Sequence, residues 1–150
     1  MVASPFIATF IVLCFLGILD SGYLVWKHRK NSHTPLVCPL DHDCSKVTES
    51  KWSRILGIRN ELLGMIFYFT VGMLLLFRVF EVFSGTPFLY GVIDFLLYQF
   101  APLLILLTAG GTLFSLFLLY IQVRIIKDYC FYCLISALIN VLLFLNSLAL

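Results

Sequence analysis

Residues 129–150 read YCFYCLISALINVLLFLNSLAL, and the fold turns on them. The stretch carries no charged side chain. At ~1.5 Å per helical residue it is long enough to cross the ~30 Å hydrocarbon layer of a bilayer. Cys130 and Cys133 stand at its start in a Cys-X-X-Cys spacing. Thiol pairs react with water-borne or protein partners, and lipid offers neither. A dithiol at the mouth of a membrane-length helix therefore points to thiol chemistry at a bilayer surface.

Upstream the same apolar character recurs in runs at 6–26, 62–83 and 101–123. Of the 150 residues 61% are hydrophobic and 12% charged, with mean hydropathy +1.02. A soluble domain carries about 25% charged residues, so the composition is that of a bilayer protein. The expectation is an all-α membrane protein: a four-transmembrane-helix bundle forming a single domain over 1–150, with helices at about 6–26, 62–83, 101–123 and 129–150. The first run is too long for a signal-peptide core and has no charged start or small-residue cleavage site. A short interfacial segment is expected before the third helix, where Asp94, Gln99 and Pro102 interrupt the pattern. A tight turn is expected at Arg124, Lys127 and Asp128. A net charge of +2 with no basic stripe interleaved with aromatics gives no reason to expect nucleic acid as a partner.

The one extended polar stretch runs from Lys27 to Asn60, a long cysteine-bearing loop between helices 1 and 2. Loops of that length in small proteins are usually functional. Trp52, Ile55, Leu56 and Ile58 read as an amphipathic segment lying on the membrane face.

Five cysteines are present. Cys14, alone within the first apolar run, reads as a small buried hydrophobe. The other four fall into two local pairs, Cys38 with Cys44 and Cys130 with Cys133. At a helix N-terminus the free N–H groups and the positive dipole end favour thiolate, the attacking species in disulfide exchange. A flexible loop pair feeding a helix-mouth pair reads as a redox relay. Two other readings stay open: static disulfides, and a non-enzymatic scaffold stapled by zinc through the four cysteines with His33 and His42 nearby. Haem attachment would need His directly after Cys133, where Leu134 stands. Asn60 reads either as a helix N-cap or as a hydrogen-bond donor to a lipid-soluble ring. Asp20 is an intramembrane acid close enough to the surface to reach it, and Asn140 suits a bond between helices.

Cys38 and Cys44, Ser50 six residues on, Gly57-Ile58, Asn60, Gly64, Phe67-Tyr68, and Cys130-X-X-Cys133 with Asn140 together resemble the vitamin K epoxide reductase family. Asp20-Ser21-Gly22-Tyr23-Leu24 is similar to the end of helix 1 in its prokaryotic members. The resemblance covers nearly the whole chain. It implies a four-helix bundle around a quinone of ubiquinone or menaquinone (vitamin K) type, with Cys133 nearest the quinone and Cys130 its partner. Cys38 and Cys44 would be the shuttle pair. Asn60 would hydrogen-bond the quinone head group, Leu63, Phe67 and Tyr68 would line its pocket, and Ser50 would lie near the active site.

Ala137 stands where animal members carry a tyrosine that helps bind the epoxide. This favours thiol oxidation at the expense of quinone over the alternative, quinone epoxide reduction. The 150 residues contain no thioredoxin-like segment, so a separate thioredoxin-fold dithiol protein is the expected electron donor.

Four crossings would put both thiol pairs on one face of the membrane. That face carries Lys27, Arg29, Lys30, Lys46, Lys51, Arg54, Arg59, Arg124 and Lys127, and the other only Arg78. The positive-inside rule puts the cysteine face in the cytoplasm. The resemblance puts it outside the cytoplasm, in a multi-pass plasma-membrane protein. The extracytoplasmic placement is the expectation.

Overall fold

A computed structural model describes residues 5–30, 38, 44–55, 57–84 and 90–149, with side chains left undescribed at 77–78, 80–84 and 90–101. Helix α1 spans Pro5–Lys30. A short helix α2, Cys44–Thr48, leads through a 3₁₀ turn, Lys51–Ser53, into a two-stranded ribbon. Its strands β1, Arg54–Ile55, and β2, Ile58–Arg59, pair antiparallel with Arg54 opposite Arg59. Three long helices follow: α3 at Asn60–Ser84, α4 at Tyr90–Ile121, and α5 at Phe131–Ala149.

Three helical segments among the described residues are long and apolar enough to cross a membrane: Pro5–Lys30, Pro102–Ile126 and Phe131–Ala149. The all-α membrane architecture stands. Among the described residues α3 adds a shorter apolar helical stretch, Asn60–Leu76. Phe15 is 59% and Leu113 69% exposed, as lipid-facing side chains would be.

One expectation is corrected. The segment before the third crossing is not separate, because α4 runs unbroken through Pro102. Proline removes one N–H bond, but in an apolar medium the remaining ladder has no water to which it can be lost. The apolar patch of Trp52, Ile55 and Ile58 falls on the 3₁₀ turn and the hairpin, with Trp52 and Ile58 exposed; Leu56 lies outside the described residues. Gly57 sits at φ +81°, the left-handed conformation a tight turn demands and a side chain resists. The loop between the third and fourth helices begins as a π-helical turn, Gln122–Ile126, closed by Lys127 in left-handed geometry with its N–H on the Gln122 carbonyl.

α1 packs against α3 and α5, and α4 against α5. The core joins Phe10, Leu13 and Cys14 of α1 with Tyr68, Val71 and Leu75 of α3, and with Leu104, Ile139 and Leu143. Cys14 is buried there, as its reading as a small hydrophobe anticipates. Hydroxyl groups tie α4 to α5: Thr108 Oγ1 lies 2.9 Å from Ser147 Oγ, and Thr112 Oγ1 donates to the Asn140 carbonyl at 3.0 Å. In lipid such bonds hold helices together where the hydrophobic effect does not.

Gly17 of α1 lies against the Tyr68 ring so closely that an added Cβ would stand 2.6 Å from Tyr68 Cδ1. Tyr68 has no exposed surface and its hydroxyl is held by Ser136, so the ring has little room to yield. Gly17→Ala is expected to cost about 1–3 kcal/mol, the usual range for overpacking. Thermal unfolding in detergent measures it, and an unchanged midpoint would contradict this packing.

Candidate functional site

Cys38 and Cys44 form a disulfide with Cα atoms 5.7 Å apart, while Cys130 and Cys133 are free thiols. Cys44 opens α2, and Cys130 directly precedes α5. Neither has any exposed surface. They share one buried cluster with Leu24 and Val47, against which Cys38, Phe131, Tyr132 and Cys133 pack. The fold thus brings the loop pair onto the helix-mouth pair, although 86 positions separate Cys44 from Cys130 in sequence (130 minus 44). Lys46 Nζ meets Asp128 Oδ2 at 3.1 Å and joins the two cysteine-bearing loops on the same side of the bundle.

The turn before α5 fixes Cys130 in place. Its N–H donates to Gln122 Oε1 at 3.4 Å, and its carbonyl accepts from Leu134 N–H at 3.1 Å. The hydrogen bond with the Cys133 thiol holds the Cys130 thiol below its ordinary value of 9.0. The Cys133 and Tyr132 N–H groups act in the same direction, and burial opposes them. A depressed value means more thiolate at a given pH, hence faster exchange. In the reduced protein, the part of the thiolate ultraviolet absorbance that Cys130→Ser removes should titrate below pH 9.0. Cys133→Ala should move that titration upward. A Cys130 titration at or above the ordinary value would contradict this arrangement.

Beside the thiols lies a cavity of about 500 Å³, walled mainly by apolar side chains of α1, α3, α4 and α5. Of the four paired cysteines only Cys133 lines it. Ser50, Asn60, Leu63, Phe67 and Tyr68, all expected near a ring ligand, line it too. Gly111 of α4 admits Phe67: a Cβ there would stand 2.7 Å from Phe67 Cζ. Ser50 Oγ donates to the Val47 carbonyl at 2.8 Å and so pins the turn after α2. Ala137 is buried and is not among the cavity-lining residues, whereas its neighbour Ser136 is.

Asn60 is the first residue of α3, and its Nδ2 donates to the Trp52 carbonyl at 2.9 Å. Its Oδ1 is buried without a partner. The same holds for Asp20 Oδ2 and Asn140 Oδ1, and both of these residues also line the cavity. Asn140 does bridge helices as expected, since its Nδ2 meets Ser115 Oγ and the Gly111 carbonyl. Its place on the cavity wall was not legible from sequence.

Glu61 was also missed. It lines the cavity, is only 8% exposed, and pairs with Arg59 at 3.1 Å and with His28 at 3.2 Å. His28 Nδ1 also faces the Leu24 carbonyl at 2.9 Å; with two acceptors before it, that nitrogen carries the hydrogen. A carboxylate one residue into an apolar run was the available signal.

Among the described residues no group of three His, Cys, Asp or Glu side chains is placed to hold a metal. His33, Asp41, His42 and Asp43 lie outside the described residues. With Cys38 and Cys44 joined to each other, a zinc site built on all four cysteines does not form in this state.

A disulfide, a buried thiol and a cavity-lining thiol thus lie together in a protein with membrane-length apolar helices. Over residues 8–148 the chain matches the vitamin K epoxide reductase family, and it belongs to that family. Membership brings an oxidoreductase activity linked in general to quinones.

Proposed function

We propose that this protein is a quinone-dependent thiol:disulfide oxidoreductase, a single membrane domain with α3 as a fourth crossing. It takes electrons from a thioredoxin-fold dithiol protein and supports disulfide formation. The observation that carries this reading is the order of the sulfurs: the Cys38–Cys44 disulfide, then buried Cys130 beside Cys44, then Cys133 on the cavity wall.

A partner dithiol is oxidised to its disulfide as the Cys38–Cys44 bond is reduced to two thiols. A loop thiolate then attacks Cys130 in a Cys130–Cys133 disulfide and displaces the Cys133 thiolate. The second loop thiol resolves the mixed disulfide, which restores Cys38–Cys44 and leaves Cys130 and Cys133 reduced. The described arrangement, with the loop pair bridged and the inner pair free, corresponds to that point in the cycle.

A quinone, of ubiquinone or menaquinone type, would supply an acceptor for two electrons and two protons from this dithiol. The residues fit such a ring. The lining is mainly apolar, with Leu63 and Phe67 among its walls, and Ser136, Asn60 and Asn140 bring a few polar groups to it. Ala137 in place of the tyrosine of animal members favours quinone over its epoxide. Each ~30 mV of potential difference contributes ~1.4 kcal/mol to the two-electron transfer.

The decisive experiment is quinone-dependent oxidation of a reduced thioredoxin-fold protein by the purified chain. Turnover without added quinone, or none with it, would overturn the proposal. We place the protein in the plasma membrane with the cysteine face outside the cytoplasm. With Cys38 and Cys44 kept reduced, a membrane-impermeant maleimide should label intact cells; labelling only after lysis would mean the inverted orientation.

A further inference from the structure

A groove of about 460 Å³ lies between the 3₁₀ turn with strand β1 and the last turns of α4. Lys51, Trp52 and Arg54 line it on one side, and Phe117, Leu118 and Ile121 of α4 on the other. Lys51, Trp52, Arg54 and Phe117 are exposed, so the groove opens to the surroundings. Trp52, Leu118 and Ile121 also line the cavity beside Cys133. A single layer of side chains thus separates groove from cavity.

The two sides of the groove differ in chemistry. Its mouth is cationic, and no Asp or Glu lines it. Arg54 stands opposite Arg59 in the ribbon. Arg59 is neutralised by Glu61 at 3.1 Å, whereas among the described residues Arg54 and Lys51 have no acidic partner. Like charges facing across a ribbon oppose its pairing, and an anion beside Arg54 relieves that. Lys51 Nζ stands 5.5 Å from the centre of the Trp52 ring. Such a cation on an aromatic ring suits the membrane–water interface. The floor is apolar. Phe117 and Ile121 lie nine and five residues before the end of the crossing Pro102–Ile126 (126 minus 117, 126 minus 121). At ~1.5 Å per residue they sit about 14 and 8 Å inside the helix end, the depth of the upper part of an acyl chain.

We propose that this groove binds an anionic phospholipid, with its headgroup between Lys51 and Arg54 and an acyl chain over Phe117, Leu118 and Ile121. A soluble anion would leave the apolar floor bare, and a zwitterionic lipid would leave the cations unmatched. The bound lipid covers the outer side of the cavity wall. It rests on Trp52, whose carbonyl holds Asn60 Nδ2 at 2.9 Å. The inference does not depend on the quinone reading.

Trp52 itself reports the test. The chain has two tryptophans, and Trp26→Phe leaves Trp52 alone. The full chain with that change is reconstituted in vesicles of phosphatidylcholine and phosphatidylglycerol. One lipid or the other carries bromine high on an acyl chain, which quenches a tryptophan only on close approach. Brominated phosphatidylglycerol should quench Trp52 at a mole fraction about tenfold lower than brominated phosphatidylcholine, the pull of two cations near the surface. Lys51→Gln with Arg54→Gln should bring the two lipids to within about twofold of each other. Unchanged quenching by phosphatidylcholine then shows that fold and insertion persist. Each substitution alone should lower the preference about threefold, so the comparison holds even where the double variant fails to insert. Arg29→Gln with Lys30→Gln removes the same charge from the end of α1 and should leave the preference intact.

Equal quenching by both lipids before any charge is removed overturns the proposal. So does a preference that survives loss of Lys51 and Arg54. Loss of the preference in both charge variants alike would mean diffuse attraction to a basic face, and overturns it too. If neither lipid quenches Trp52, the groove is covered by a second copy of the chain or by the ligand of the cavity, and the proposal fails.

Discussion

Cys133→Ala leaves the protein folded and inserted but lowers quinone-dependent dithiol oxidation by about a thousandfold or more, the scale seen when one member of a group that acts as a unit is removed. Cys133 is the only one of the paired cysteines on the cavity wall, so no other paired sulfur is placed to pass electrons to a ring held there. The loss should fall on turnover rather than on quinone affinity, because the apolar walls remain. Steady-state rates on detergent-purified protein test this, with a thermal unfolding curve on the same preparation to show that the fold persists. Substantial residual turnover would mean that electrons leave by another route.

Cys38→Ala separates the two halves of the relay. Cys44 and Cys130 share a fully buried cluster, and Cys38 packs at its edge, half-buried. Without Cys38 the loop has no disulfide for a protein partner to reduce, and oxidation of a thioredoxin-fold protein should fall about a thousandfold as well. A small dithiol can bypass the loop pair through Cys133, since Cys130 has no exposed surface, and should still be oxidised, at a rate that access to Cys133 sets. If Cys38→Ala and Cys133→Ala abolish both reactions equally, the two pairs do not act in sequence. If Cys38→Ala spares the protein partner, the loop pair is a staple rather than a shuttle.

The charge cluster around Glu61 bears on both experiments. Arg59, Glu61 and His28 connect the ribbon, the start of α3 and the end of α1. Arg59 also reaches the Thr48 carbonyl at the end of α2 at 3.3 Å. The segment that carries Cys44 is thus fastened to two helices. This favours a loop pair whose inner cysteine stays docked while Cys38, nearer the surface, meets the partner.

The sequence by itself determined the class of structure and the chemistry. Uninterrupted apolar runs leave a backbone in lipid no choice but helix, because every N–H and C=O must be satisfied within the segment. The Cys-X-X-Cys at Cys130 and the loop pair at Cys38 and Cys44 named the sulfurs that the fold brings together. Their spacing with Asn60 and Phe67-Tyr68 identified the family. The boundaries of the third helix were less legible, since Pro102 reads as a breaker in water and is tolerated in lipid. The pairing of 54–55 with 58–59 is not specified by an apolar patch that suits several conformations, and Gly57 is the local signal for its turn.

Only the tertiary structure decided which polar atoms share a space. Asn140 was readable as a bond between helices, and it makes one, but no pattern along α5 shows that the residue lines a cavity or that its oxygen is buried without a partner. Glu61 and His28 are 33 positions apart (61 minus 28) and meet only because α1 and α3 pack side by side. Hydrogen-bond satisfaction is a sum over every neighbour in three dimensions. A sequence names the donors and acceptors, and the packing of the helices decides which of them remain unpaired.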